Sequence, residues 1–222
     1  MDVQSWSGVS GVVWVRCGGA VAAVAMMSTL MATAAQADSS SALLLLRALP
    51  SSPEHQGGYD RELFADWQDR DGDGCDTRDE VLVSEAVAGS VQGCQVIGGR
   101  WVSLYDGSVV SDASALDIDH VVALSEAWGS GAWRWNANRR ARFANDLGYP
   151  LALIAVTAGA NRSKGDQDPA EWVPSAGRCR FAKAWIGVKF RWRLAVDTRE
   201  RTALQQLLRG CALGMRIPEL AP

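Results

Sequence analysis

Residues Ala115–Leu124 read ALDIDHVVAL, an apolar run interrupted by two aspartates and one histidine. The run is expected to form a buried strand. Alternate residues of a strand share a face, so Asp119 and His120 point in opposite directions unless the chain bends there. That suits two distinct roles better than one ion pair. The chain has only one other histidine, His55, in a Pro/Gly/Ser-rich stretch where it reads as incidental. A lone histidine in an apolar strand is usually a satisfied core residue; the flanking Asp117 and Asp119 weigh against that reading here.

The rest of the chain sets the context for this strand. Val9–Thr33 is rich in Val, Ala, Gly and Met, carries Arg16 as its only charge, and leads to Ala35-Gln36-Ala37. A cationic residue, an apolar run and a small-x-small end read as a secretory signal peptide over residues 1–37. No later run approaches the ~20 apolar residues that span a bilayer, so no stable membrane association is expected after cleavage. Residues 38–58 read as a linker or propeptide-like segment, and residues 59–222 as one domain. Four cysteines remain after the leader: Cys75, Cys94, Cys179 and Cys211. In an exported protein they suggest two disulfides, and of three connectivities Cys75–Cys94 with Cys179–Cys211 is favoured because each closes a local loop. A structural zinc site finds little support without a C-x-x-C pair.

The net charge of −3 hides an asymmetry. Residues 38–127 hold 5 basic and 17 acidic side chains, whereas residues 128–222 hold 16 and 7. An acidic, cation-binding region beside a polyanion-binding one would produce this; so would two solvated faces that neutralise each other. Helical spacing is expected at Tyr59–Gln68 and Arg78–Val87, the second capped by Asp76 or Thr77, with two or three short strands over Val91–Val110. A basic helix in Trp133–Leu147, a strand at Leu151–Val156, a helix from Thr157 and two more at Cys179–Trp192 and Thr198–Cys211 complete an α+β chain.

Downstream of the Asp-His strand lies Asn161-Arg162-Ser163-Lys164-Gly165-Asp166, after a short strand and at the start of a helix. Strand with Asp-His, strand, then helix with Asn-x-x-Lys-Gly resembles a ββα-metal (HNH) nuclease site. The stretches Asp117–Trp128, Ala144–Leu147 and Leu153–Pro174 together resemble secreted actinobacterial HNH proteins related to the C-terminal nuclease domain of GmrSD-type restriction enzymes. The likeness extends through Tyr59–Leu82 and the Cys179–Cys211 helices. It implies an α+β fold with an HNH core embedded among helices. It also implies a secreted, metal-dependent endonuclease acting on DNA or RNA, here expected as a monomer.

On that resemblance His120 is the general base, Asp119 and Asn161 bind the metal, and Arg162 and Lys164 contact phosphate. A neutral imidazole can take a proton from water, and a divalent cation can stabilise charge on the phosphate. Carboxylate and amide oxygens suit Mg²⁺ or Mn²⁺. The middle Asn of such a site departs from the usual spacing: Ala152 stands there, and Asn145 either fills the role through a different loop length or serves as a cap or turn residue. The competing reading is a calcium-stabilised secreted binding module whose HNH-like core is inactive. Another exported hydrolase using His120 lacks a persuasive Ser or Cys nucleophile.

Asp69–Glu80 fits the D-x-D-x-D-G-x5-E calcium-loop pattern. Asp69, Asp71 and Asp73 would supply oxygens, Cys75 its carbonyl and Glu80 a carboxylate, with Gly74 at the sharp turn. The bland alternative is a tight turn that caps the next helix. Of the ten tryptophans, Trp67, Trp128, Trp172 and Trp185 fit core positions, while Trp133 and Trp135 sit beside Arg134, Arg139, Arg140 and Arg142, where they either stack on bases or form a hydrophobic flap.

Overall fold

The computed structural model describes residues 41–222. The expected signal peptide lies outside the described residues. Helix α1, Ser41–Ala48, buries Ala42, Leu45 and Leu46, and Leu49 follows them into the core. Over residues 41–49 this corrects the reading of residues 38–58 as linker. The leucine run has the spacing of a helical stripe, and burying each leucine contributes roughly 2 kcal/mol. Arg201 anchors the end of this helix through the carbonyls of Leu46 and Leu49. The chain beyond is tied by a Ser51–Val196 bridge and by His55 N donating to Gly129 O at 2.9 Å.

The expected helix at Tyr59–Gln68 is only a 3-10 turn, Arg61–Leu63, started by Asp60. Trp67 adopts φ 50°, a left-handed conformation incompatible with a continuing helix. Helix α2, Thr77–Glu85, is capped by Asp76, which accepts from Asp79 N at 3.0 Å. Strands β1 (Ala88–Gln92), β2 (Gln95–Val102) and β3 (Val109–Val110) form an antiparallel sheet in that order. The Cys75–Cys94 disulfide joins the start of α2 to the β1–β2 turn.

A second antiparallel pair joins β4, Leu116–His120, to β5, Leu153–Thr157, with Asp119 opposite Ile154 and His120 opposite Leu153. Between them run α3 (Leu124–Gly129) and α4 (Ala137–Ala144), the latter capped by Asn136. Helix α5, Ala158–Lys164, follows β5 directly, with Thr157 accepting from Ala160 N. Helix α6, Arg178–Trp192, and α7, Thr198–Leu207, close the fold. Asp197 and Glu200 form a reciprocal cap at the start of α7. The Cys179–Cys211 disulfide links the start of α6 to the residues after α7, so both favoured pairings are present.

Helix α6 is the centre of the larger core. Phe181, Trp185, Ile186 and Trp192 are buried against α1 and the residues around α3 and α4. Gly187 is required there, because a Cβ would stand 2.4 Å from the Tyr149 hydroxyl. Lys189 is fully buried on the same helix, between Glu126 and Glu200. Burial alone would lower its pKa, but the two carboxylates outweigh burial and hold it above the ordinary lysine value. A smaller core joins Val81, Leu82 and Trp101 to Leu116, Ile118, Leu153 and Ala155. Of the tryptophans expected inside, Trp185 is fully buried and Trp67, Trp128 and Trp172 are half-buried; Trp101 and Trp192 are also fully buried. No described helix is long and apolar enough to cross a membrane.

Candidate functional site

Strand alternation places the β4 side chains as expected. Asp117 and Asp119 face α5, while His120 faces the opposite way. The α5 side is a polar ladder. Asn161, in the second turn of α5, donates from Nδ2 to Asp117 Oδ2 at 3.1 Å. One turn later, Lys164 is fully buried and donates to Asp119 Oδ1 at 2.9 Å and to the His120 carbonyl at 3.0 Å. The second Asp119 oxygen accepts from Tyr105 at 2.5 Å. Burial, followed by the Asp119 charge, raises the Tyr105 pKa well above its ordinary value, so the phenol keeps its proton as the donor.

This geometry revises two expectations. Lys164 does not reach solvent, so it is not available to a phosphate; its ammonium neutralises a buried carboxylate instead. Asp119 and Asn161 take different partners: both Asp119 oxygens are engaged by Tyr105 and Lys164, and Asn161 pairs with Asp117. Asp117 and Tyr105 were not among the expected site residues. Asp117 was legible, since it lies two residues before Asp119 on the same strand face. Tyr105 comes from the loop between β2 and β3 and carries no local signal. Arg162 is exposed beside Asn161.

On the other face, His120 is buried between Trp67, at a centroid distance of 5.5 Å, and Phe143, at 6.5 Å. Its Nε2 lies 2.8 Å from the Ala144 carbonyl. A carbonyl only accepts, so Nε2 carries the proton and Nδ1 keeps its lone pair. Burial pushes the imidazole pKa down to about 4, although the Ala144 hydrogen bond and Asp119 pull it upward. The ring is therefore neutral near pH 7.

Ala144 ends α4, and the next residue locks it. Asn145 is buried and accepts at Oδ1 from Gln68 N and the Thr77 hydroxyl, both at 2.8 Å. Its Nδ2 donates to Ala65 O at 2.6 Å and to Ala141 O at 2.8 Å. Asn145 is thus both the C-cap of α4 and the clasp joining that helix end to the loop before α2.

The acidic loop lies apart from this ladder. Asp69, Asp71 and Asp73 are exposed and each places an oxygen within 4.8 Å of the others. Gly72 N and Gly74 N donate to the two oxygens of Asp69 at 2.8 and 3.0 Å, and Gly74 takes φ 93°, where glycine is favoured. Glu80 is outside that trio of oxygens, yet burial and then repulsion from Asp71, Asp73 and Asp69 raise its pKa. Among the described residues a second trio, Glu54, Asp168 and Asp197, is equally close.

Residues 82–207 match the family described as GmrSD restriction endonucleases, C-terminal domain. The chain belongs to that family. A relative described as an uncharacterized secreted protein, from the fungus Arthroderma benhamiae, is 43% identical over 176 residues, covering 78% of this chain and 85% of its own length. That relative is fungal, so it lends no support to an actinobacterial likeness. No solved structure matches. Membership of the GmrSD C-terminal family points to nuclease-related chemistry.

Proposed function

We propose that this protein is an exported, divalent-metal-dependent endonuclease that hydrolyses phosphodiester bonds in DNA, with RNA as an alternative substrate. The observation that carries the reading is the His120–Ala144 hydrogen bond, clasped by Asn145. It fixes the tautomer that leaves Nδ1 free to take a proton from water, the role of a general base. Asn145 acts as a positioning residue in this scheme. Family membership supports the nuclease class, and the secreted relative with the two disulfides supports export.

Asp119 does not fit a direct metal role while Lys164 and Tyr105 hold it. Asp117 and Asn161 fit better. They are half-buried, and turning the Asn161 amide would put two oxygens side by side, a donor set suited to Mg²⁺ or Mn²⁺. The cation, when bound, would neutralise charge on the phosphate. Lys164 and Asp119 then hold α5 against β4, and exposed Arg162 contacts phosphate. The test is plasmid nicking by the purified protein with Mg²⁺ or Mn²⁺, with and without chelator. His120→Ala and Asp117→Ala are expected to abolish nicking while remaining folded. Absence of nicking by the folded wild type with either metal refutes the reading.

The engagement of Asp119 and the burial of His120 favour a second reading, an inactive binding module stabilised by calcium. Asp69, Asp71 and Asp73 cluster hard carboxylate oxygens of the kind that suit Ca²⁺, and the loop pattern would add the Cys75 carbonyl and Glu80 to them. Calorimetric Ca²⁺ titration of the wild type and Glu80→Gln tests the loop: unchanged affinity in the variant removes it from consideration. A calcium site without nicking favours the second reading.

A further inference from the structure

Behind Phe143, which flanks His120, lies a group of arginines that the nuclease site does not use. Phe143 packs on Trp135 and Trp192 at centroid distances of 5.7 and 5.4 Å. The Arg139 guanidinium lies over the same two rings, at 4.9 and 5.6 Å. Arg142 stands one turn further along α4 from Arg139, and Arg193 directly follows Trp192 at the end of α6; burial, followed by the charges of these two arginines, lowers the Arg139 pKa. Among the described residues none of the three forms an ion pair with a carboxylate. The Nε atoms of Arg139 and Arg142 are both buried from solvent without a hydrogen-bond partner. Arg193 is exposed.

Among the described residues no carboxylate offsets these three like charges. Elsewhere the fold pairs its buried cations: Lys164 with Asp119, Lys189 with Glu126 and Glu200, and Arg191 with Asp146. An anionic ligand would offset these charges. Guanidinium groups match phosphate geometry through paired donors, and the Trp135 and Trp192 rings with the Trp192 carbonyl hold Arg139 in place. The patch reaches His120 through one intervening ring.

We propose that Arg139, Arg142 and Arg193 form a track for the phosphodiester backbone of a nucleic-acid strand, leading it to the His120 side of the protein. The proposal rests on the nuclease reading and names how that site would hold its substrate. Contacts of this kind grip backbone without reading sequence.

The experiment uses the purified protein in chelator, so that binding is measured without cleavage. Fluorescence anisotropy of a labelled duplex and a labelled single strand is followed across a KCl series for wild type, Arg142→Gln and Arg193→Gln. Arg199→Gln, an exposed arginine on α7, serves as a charge-matched control. Each lost phosphate contact removes about 0.9 from the slope of log affinity against log salt for the duplex and about 0.7 for the single strand, or about eightfold and fivefold in affinity at ~0.1 M relative to ~1 M salt. Near-UV circular dichroism verifies that each variant is folded. Loss of slope in the two patch variants and not in Arg199→Gln supports the track. Patch variants that bind like the wild type, while the wild type binds and nicks normally, overturn the track and leave the nuclease reading standing. A wild type that neither binds nucleic acid nor nicks with metal overturns both. Patch-dependent binding to phosphatidylserine vesicles, with no nucleic-acid binding, overturns the track and reassigns the arginines to a membrane surface.

Discussion

Replacing Asn145 with alanine tests the clasp on which the His120 geometry depends. The side chain makes four hydrogen bonds, but their loss is not felt equally. Ala141 O still accepts from the Asn145 backbone N–H, and the Thr77 hydroxyl, with one proton to give, can still donate to Gln68 O at 2.9 Å. Gln68 N and Ala65 O have no replacement among the described groups. Ala65 is exposed, so water can replace the lost donor there, whereas leaving the half-buried Gln68 N–H unsatisfied costs about 1–3 kcal/mol; Asn145→Ala is therefore expected to lose roughly 2 kcal/mol. Urea unfolding followed by Trp fluorescence reads this as a lower midpoint with an unchanged slope. At a temperature where the variant remains folded, nicking should fall more than folding does, because the Ala144 carbonyl no longer holds the imidazole. A stability loss under about 1 kcal/mol would mean that the clasp is solvated rather than buried. A folded variant with wild-type nicking would refute the positioning role.

Three further outcomes follow from the packing. Lys164→Met leaves Asp119 buried against Tyr105 alone and is expected to destabilise by about 3–5 kcal/mol in urea unfolding, whereas an exposed phosphate-binding lysine would cost almost nothing. Leu46→Ala should cost about 2–5 kcal/mol, and removal of residues 41–58 should abolish cooperative unfolding; an intact truncated domain would restore the linker reading. Burial raises the carboxyl pKa of Glu85 to about 7, against the pull of the Ala155 N–H, from an ordinary 4.5. A group with a raised folded pKa binds its proton more tightly when folded, so its contribution is present at low pH and is lost as pH rises from about 4.5 to about 7. Glu85→Gln keeps an acceptor for Ala155 N and should flatten that part of the stability profile; an unchanged profile refutes the assignment.

Local chemistry made much of this protein legible in its sequence. The strand holding Asp117, Asp119 and His120, the Thr157 cap before Asn161 and both disulfide pairings follow from alternation, capping and short loops. Those signals act over a few residues, or over a loop short enough to favour closure. The failures have a common cause. Residues 41–48, part of the segment read as linker, form a core helix because α6 offers their leucines an apolar surface, and no neighbour in sequence announces that surface. Lys164 reads as a phosphate contact until Asp119 and the His120 carbonyl take up its ammonium. Asn145 sits outside the usual spacing, yet it reaches Ala65, Gln68 and Thr77 across 68 to 80 residues of chain. Sequence alone determined which residues could do chemistry and which face of the strand each would take. Tertiary structure decided which were free to do it, because charge neutralisation, burial and hydrogen-bond satisfaction are set by partners that meet only when the chain has folded.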